Sequence, residues 1–149
     1  MSVITDLKTL YTVDDVQWLE EMIQLLKNHQ FEALDLENLI EELEDLGSEK
    51  RNAVVSLLEQ VMRHLLLLEY WTTEQENNSH HWQGEIYTFR VQLKRRLTTN
   101  LRNYLASELE SIYQDALGYV KIKTQHKITF PQTCPYSLIQ LLDIDWLPQ

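Results

Sequence analysis

Glu37, Glu41 and Glu44 lie in the stretch Asp35-Leu36-Glu37-Asn38-Leu39-Ile40-Glu41-Glu42-Leu43-Glu44-Asp45-Leu46-Gly47, which packs six carboxylates into thirteen residues. On a helix, steps of four and three nearly close a turn, so these glutamates share a sector of about 60°. Oxygen ligands in that pattern suit a hard divalent cation, and a cation so held would point to hydrolysis of a nucleotide or phosphoester. His64, further along, is the imidazole that could assist them. The same pattern is also the wet side of an amphipathic helix. Leu36, Leu39, Ile40, Leu43 and Leu46 set that helix's core direction, and the glutamate sector points more than about 90° away from it. Metal carboxylates in a bundle must face inward.

Glu41-x-x-Glu44 resembles the half-motif with which MazG-type nucleotide pyrophosphohydrolases hold magnesium, but that scaffold needs a second acidic pair. Glu108 and Glu110 do not supply it. A di-iron bundle would need Glu-x-x-His on two helices, and no such pair exists. His80 and His81 are adjacent, about 100° apart on a helix, and cannot chelate one ion from it. Cys134 lies near Pro131 and Pro135 without a neighbouring histidine, and no serine sits in a nucleophile-elbow motif. The sequence therefore assigns no residue to catalysis, to a cofactor or to a metal. Glu37, Glu41, Glu44 and His64 are the metal candidates to check in a structure.

Three polar residues read as structural: Asp35 and Asn38 at the start of the acidic helix, and Arg96. Arg90, Lys94, Arg95, Arg96 and Arg102 form a basic run with no acid from position 90 to 107. Four of them read as a solvated face. Arg96 projects close to Trp82 and Phe89, so it is expected to be buried and paired with a carboxylate, from the acidic helix or Glu85.

These groups must be positioned by helices. Val16, Leu19, Met22, Ile23 and Leu26 recur at helical spacing after Thr12, predicting a first helix to about His29, with residues 1–11 an N-terminal arm. Asp35 and Gly47 are the N-cap and C′ residues of the acidic helix. Ser48 opens a third helix over residues 48–71. There Val54, Leu57, Leu58, Val61, Leu65 and Leu68 form a stripe that makes it the central helix. Thr72 to Asn78 reads as a linker and Ser79 as the cap of a fourth helix. Asn100 starts a fifth, whose inner face runs from Leu101 to Val120. A tail over residues 124–149 holds a short helix from Ser137 to Leu142. The expected architecture is all-α, five or six helices in one domain over residues 1–149.

Composition agrees with that class. Of 149 residues, 44% are hydrophobic and 24% charged, and only three are Gly and three Pro. The formal charge of −10 opposes nucleic acid as a partner. The single cysteine excludes an intramolecular disulfide. The start, Met1-Ser2-Val3-Ile4-Thr5-Asp6, lacks a basic and apolar leader, and Leu65-Leu66-Leu67-Leu68 is far shorter than the roughly 20 residues of a bilayer span. A cytoplasmic protein without a membrane association is expected.

The stretch Asp35 to Gly47, together with Trp18-Leu19-Glu20, His64-Leu65-Leu66, Phe130-Pro131-Gln132-Thr133-Cys134-Pro135-Tyr136 and Leu141-Leu142-Asp143, resembles a family abundant in cyanobacteria. That family is catalogued as domain of unknown function number twenty-nine. The resemblance covers nearly the whole chain. It implies an all-α fold and carries no established activity, cofactor or catalytic residue. One departure stands out: a basic residue often follows the Gly in that family, whereas Ser48-Glu49 follows Gly47 before Lys50-Arg51. The leading expectation is a protein-binding or regulatory module, antitoxin-like by analogy only, whose partner is another protein or a second copy. A metal-dependent hydrolase is the alternative.

Overall fold

The computed structural model describes residues 6–149. Residues 1–5 of the expected N-terminal arm lie outside it. The protein is all-α: α1 (Leu7–Val13), α2 (Asp15–Lys27), α3 (Leu36–Tyr70), α4 (Thr72–Arg96), α5 (Thr99–Ser107), α6 (Leu109–Lys123) and α7 (Leu138–Leu142). Phe31–Ala33 adds a 3-10 turn. The chain divides into two compact units, one ending at Glu49 and the other Lys50–Gln149.

In the N-terminal unit, the single expected helix from Thr12 is two. The arm coils into α1, and Asp14, accepting from Gln17 N–H at 3.1 Å, is the N-cap that starts α2. Asp14 ends one helix and begins the next because a side-chain acceptor there competes with a continuing backbone bond. The far end of α2 closes by a Schellman motif: Gln30 N–H donates to Leu25 O and His29 N–H to Leu26 O. His29 is the left-handed residue this requires, at φ 56°. The unit's small interior is Trp18 and Met22. Trp18 sits edge-on to Tyr11, ring centroids 4.8 Å apart, and its indole Nε1 donates to Asp35 Oδ2 at 3.1 Å.

The break expected at Gly47-Ser48 does not occur. The helix α3 runs 35 residues without interruption, and no glycine has positive φ. Helical glycine costs about 1 kcal/mol against alanine, and the apolar burial further along outweighs that one residue.

In the C-terminal unit, α3 supplies the centre. Val54, Leu58, Val61, Met62, Leu65 and Leu66 are fully buried against Trp82, Ile86 and Leu93 of α4, Leu105 of α5, and Tyr113, Ala116 and Val120 of α6. The polar stretch Thr72–Asn78 is not a linker but the start of α4. Its side chains satisfy backbone groups: Gln75 donates to Leu68 O at 2.8 Å, filling a carbonyl orphaned at the end of α3, and Asn78 donates to Glu74 O. Ser79, expected as a cap, instead accepts from Gln83 within α4. The expected fifth helix is divided at Glu108, whose N–H folds back onto Tyr104 O and Leu105 O, and Thr98 rather than Asn100 caps α5. Among the described residues seven α-helices therefore replace five or six, because breaks at Asp14 and Glu108 leave the apolar spacing unchanged.

A β-carbon on Gly47 would meet nothing within 4 Å. Replacing Gly47 with alanine is therefore expected to raise the unfolding free energy by about 0.5–1 kcal/mol, through a less flexible unfolded chain. Denaturant unfolding followed by circular dichroism measures it, and a destabilised variant would refute the continuous helix.

Candidate functional site

The N-terminal unit leaves its apolar residues in water. The sequence places Val16, Leu19, Met22, Ile23 and Leu26 on one inner stripe of α2, but only Met22 is buried. The inner face is set by Trp18, Met22 and Leu25, and the remaining apolar residues lie about 120° round the helix. On α3, Leu36, Ile40, Leu43 and Leu46 form a second exposed stripe. Val13 is 76% exposed, Val16 62%, Leu36 56%, Ile40 54% and Leu43 59%. With Leu19, Ile23, Leu26, Phe31 and Leu46, the exposed apolar residues of this unit sum to on the order of 1,000 Å². The C-terminal unit exposes only Tyr87, Tyr119, Ile122 and Ile139 among large hydrophobics.

Glu37, Glu41 and Glu44 are all exposed beside the α3 stripe. Glu37 lies 3.7 Å from Lys8, both side chains largely in solvent. Glu42, on the other side of the helix, turns inward and accepts from Tyr11 OH at 2.8 Å. That bond, with the carboxylates nearby, pushes the Tyr11 phenol up to about 12. Asp35 and Asn38 meet: Asn38 Nδ2 donates to Asp35 Oδ2 at 2.8 Å, the same oxygen that holds Trp18. Asp35 is buried, its backbone carbonyl receives the first helical bond of α3 from Leu39, and its Oδ1 has no partner. Among the described residues, no group of three or more His, Cys, Asp or Glu side chains is gathered closely enough to hold a metal ion. Glu37, Glu41, Glu44 and His64 are thus not brought together.

His64 lies in the C-terminal unit. Its Nδ1–H donates to Gln60 O at 2.7 Å, which fixes the tautomer and leaves Nε2 as the acceptor. The ring packs 5.4 Å from Phe89. A cleft of about 420 Å³ beside it is lined by His64, Trp71, Glu74, His81, Tyr119 and Lys123, among others. Burial is the main cause holding the His64 imidazole below its ordinary value; the Gln60 carbonyl and Glu85 oppose it, while His81 and Arg63 reinforce it.

The expected burial of Arg96 is overturned. Arg96 is exposed in the last turn of α4, where a cation complements the helix dipole, and no carboxylate among the described residues pairs with it. Arg90 takes the buried place at 1% exposure. The α4 stripe runs Trp82, Ile86, Arg90, Leu93, Leu97, and Arg90 lies about 40° from its centre against about 80° for Arg96. That spacing is the signal in the sequence that favours Arg90. Arg90 pairs with no carboxylate either. Its Nε donates to Leu141 O at 2.8 Å, Nη1 to Trp146 O at 2.7 Å and Nη2 to Gln140 O at 3.0 Å. Burial pushes its guanidinium down, partly offset by Asp143. A larger cleft, about 650 Å³, opens beside it between Lys94, Thr98, Arg102 and Asp143.

Cys134 is held rather than poised. Its N–H donates to Glu110 at 2.7 Å, its Sγ contacts Tyr136 O at 3.4 Å, and burial pushes the thiol up. A raised thiol is a poor nucleophile. Among the described residues, no helix is long and apolar enough to cross a membrane.

The class so defined is an all-α protein that presents exposed, acid-flanked apolar stripes from its N-terminal unit. The chain belongs to the family described as domain of unknown function DUF29, whose model matches residues 10–147. No curated protein and no solved structure matches it.

Two outcomes follow from the buried polar groups. Because His64 is depressed in the fold, the unfolded chain binds the extra proton, so this group's share of stability is present above about pH 6.5 and is lost as pH falls through the depressed value. Between pH 7.5 and 5.5 the protein is expected to lose more stability than a His64→Gln variant, measured by urea unfolding at each pH. Equal slopes would contradict it. Arg90→Met is expected to cost at least about 3 kcal/mol, since it leaves three carbonyls without their charged donor. Arg96→Met should change the melting temperature little, and a similar loss in both variants would exclude the anchoring role.

Proposed function

We propose that this protein is a cytoplasmic protein-binding module that docks its partner on the N-terminal unit. The observation that carries the reading is the pair of exposed apolar stripes on α2 and α3. Their combined area matches the roughly 800 Å² per partner of a standard interface. Apolar residues at helical spacing, left in water on two neighbouring elements of the chain, disfavour the isolated protein by the hydrophobic effect until something covers them. The single cysteine suits a reducing compartment. No observation favours the hydrolase reading.

The test uses a photo-crosslinking amino acid installed at Leu43 or Ile23, with Ile139 of the C-terminal unit as the control position. Expressed in its natural host, the protein is expected to yield one discrete adduct from the first two positions and none from the third. Gln substitutions at Leu19 and Ile40 should abolish that adduct while changing the stability of the purified protein by no more than about 0.5 kcal/mol. If those substitutions unfold the protein, the stripes are core and the reading is wrong.

A further inference from the structure

Charge decides what kind of partner the stripes accept. From Asp6 to Glu49 the chain carries thirteen carboxylates and two lysines, a formal charge of −11. Residues 50–149 carry ten carboxylates and eleven Lys or Arg, a charge of +1. The net charge of the protein is thus concentrated where its apolar side chains are exposed. Glu37 and Glu44 lie on α3 within about 60° of Ile40, and Glu20 lies about 60° from Ile23 on α2. Glu41 and Glu44 form no ion pair among the described residues, and the Lys8–Glu37 pair is too exposed to neutralise Glu37. These carboxylates are free to meet an incoming cation.

That distribution separates the occupants. A second copy would bring another −11 against the first, and like charges at an interface suppress association. Anionic lipid and nucleic acid are opposed by the same field. A helix with Leu, Ile or Phe on one face and Lys or Arg on the flanks satisfies both features at once. It buries the stripes, and its cations meet the flanking glutamates, in the helix-in-groove mode of recognition. The long-range field also raises the encounter rate for such a partner. Resting on the docking reading above, we propose that the N-terminal unit binds a basic amphipathic helix of a partner protein. Its apolar face lies on the α2 and α3 stripes, and its Lys or Arg side chains pair with Glu37 and Glu44, which border Ile40.

The experiment titrates the full-length protein against three fluorescent synthetic peptides of about 18 residues: an amphipathic Leu/Lys helix, the same helix with Glu for Lys, and a Leu/Lys peptide with scrambled period. The amphipathic Leu/Lys helix is expected to bind at micromolar concentration, and the other two at least tenfold more weakly. Ile40→Gln with Leu43→Gln, which leaves the charge unchanged, should weaken binding at least tenfold, as should Glu37→Lys with Glu44→Lys. Circular dichroism confirms that the variants keep their helicity. Raising the salt should weaken the wild-type complex. Binding that survives the Ile40 and Leu43 substitutions would be unspecific attraction of cations, and would overturn the proposal. A dimer in light scattering that Leu43→Gln dissociates would overturn it in favour of a second copy. Failure of the Leu/Lys peptide while the Leu43 photo-adduct persists would remove the basic helix and leave the docking reading intact. Loss of both removes both.

Discussion

The fold of the C-terminal unit turns on one buried guanidinium. A helix of five residues cannot fully satisfy its own last carbonyls: at the end of α7, Gln140 O receives only a 3.3 Å bond from Asp143 N–H, and Leu141 O follows it. Arg90 reaches them from α4 and uses its third arm on Trp146 O. The planar fork suits three acceptors spread around a helix end, where the compact ammonium of a lysine would not span them. The carbonyls present the negative pole of the α7 dipole, so they stabilise the cation without a carboxylate. Around this anchor the residues between α6 and α7 fasten by further polar bonds. Tyr113 OH donates to Pro131 O, and Tyr136 OH donates to Glu69 at 2.9 Å. Burial, with the Glu69 charge, pushes the Tyr136 phenol far up, which keeps it protonated and donating.

The N-terminal unit rests on a smaller version of the same logic. Asp35 receives the Trp18 indole and the Asn38 amide, tying α2 to the first turn of α3. Little else is buried there. A unit with so slight an interior holds together by a few directed bonds, and its excess of leucine, isoleucine and valine stands outside. The acid beside those residues keeps the surface in solution: a stripe of this size without charge around it would attract every copy of itself.

Where the sequence could be read, it was through apolar periodicity. The stripe from Val54 to Leu68 forces a central helix whatever the caps do, and it is buried as its spacing requires. Caps misled because each is worth only about a kilocalorie, less than the burial it opposes. Gly47 and Ser48 look like a stop and a start, yet the helix passes through. Thr72 to Asn78 looks like a linker, yet its amides bond to backbone carbonyls within helices. Val16 to Leu26 carries the opposite lesson. Its period announces a helix correctly, but a period cannot tell an inner face from a docking face when both are apolar. The glutamates of α3 are exposed, but the core direction expected from Leu36, Ile40, Leu43 and Leu46 is overturned, since those residues are exposed as well. The burial of Arg90 was legible in its spacing on α4, but its acceptors were not, because backbone carbonyls leave no trace in residue types.

The Arg90 anchor also sets an order of events during synthesis. Its three acceptors lie 50 to 56 residues further along the chain. At ribosomal speeds of about 5–20 residues per second, the arginine waits roughly three to ten seconds for them. During that interval its charge has no buried partner and stays hydrated, so the face of α4 that carries it cannot close over the leucines of α3. The N-terminal helices, whose contacts are local, meet no such delay. The buried place of Arg90 is therefore completed only by the last ten residues of the sequence, long after α3 and α4 have been made.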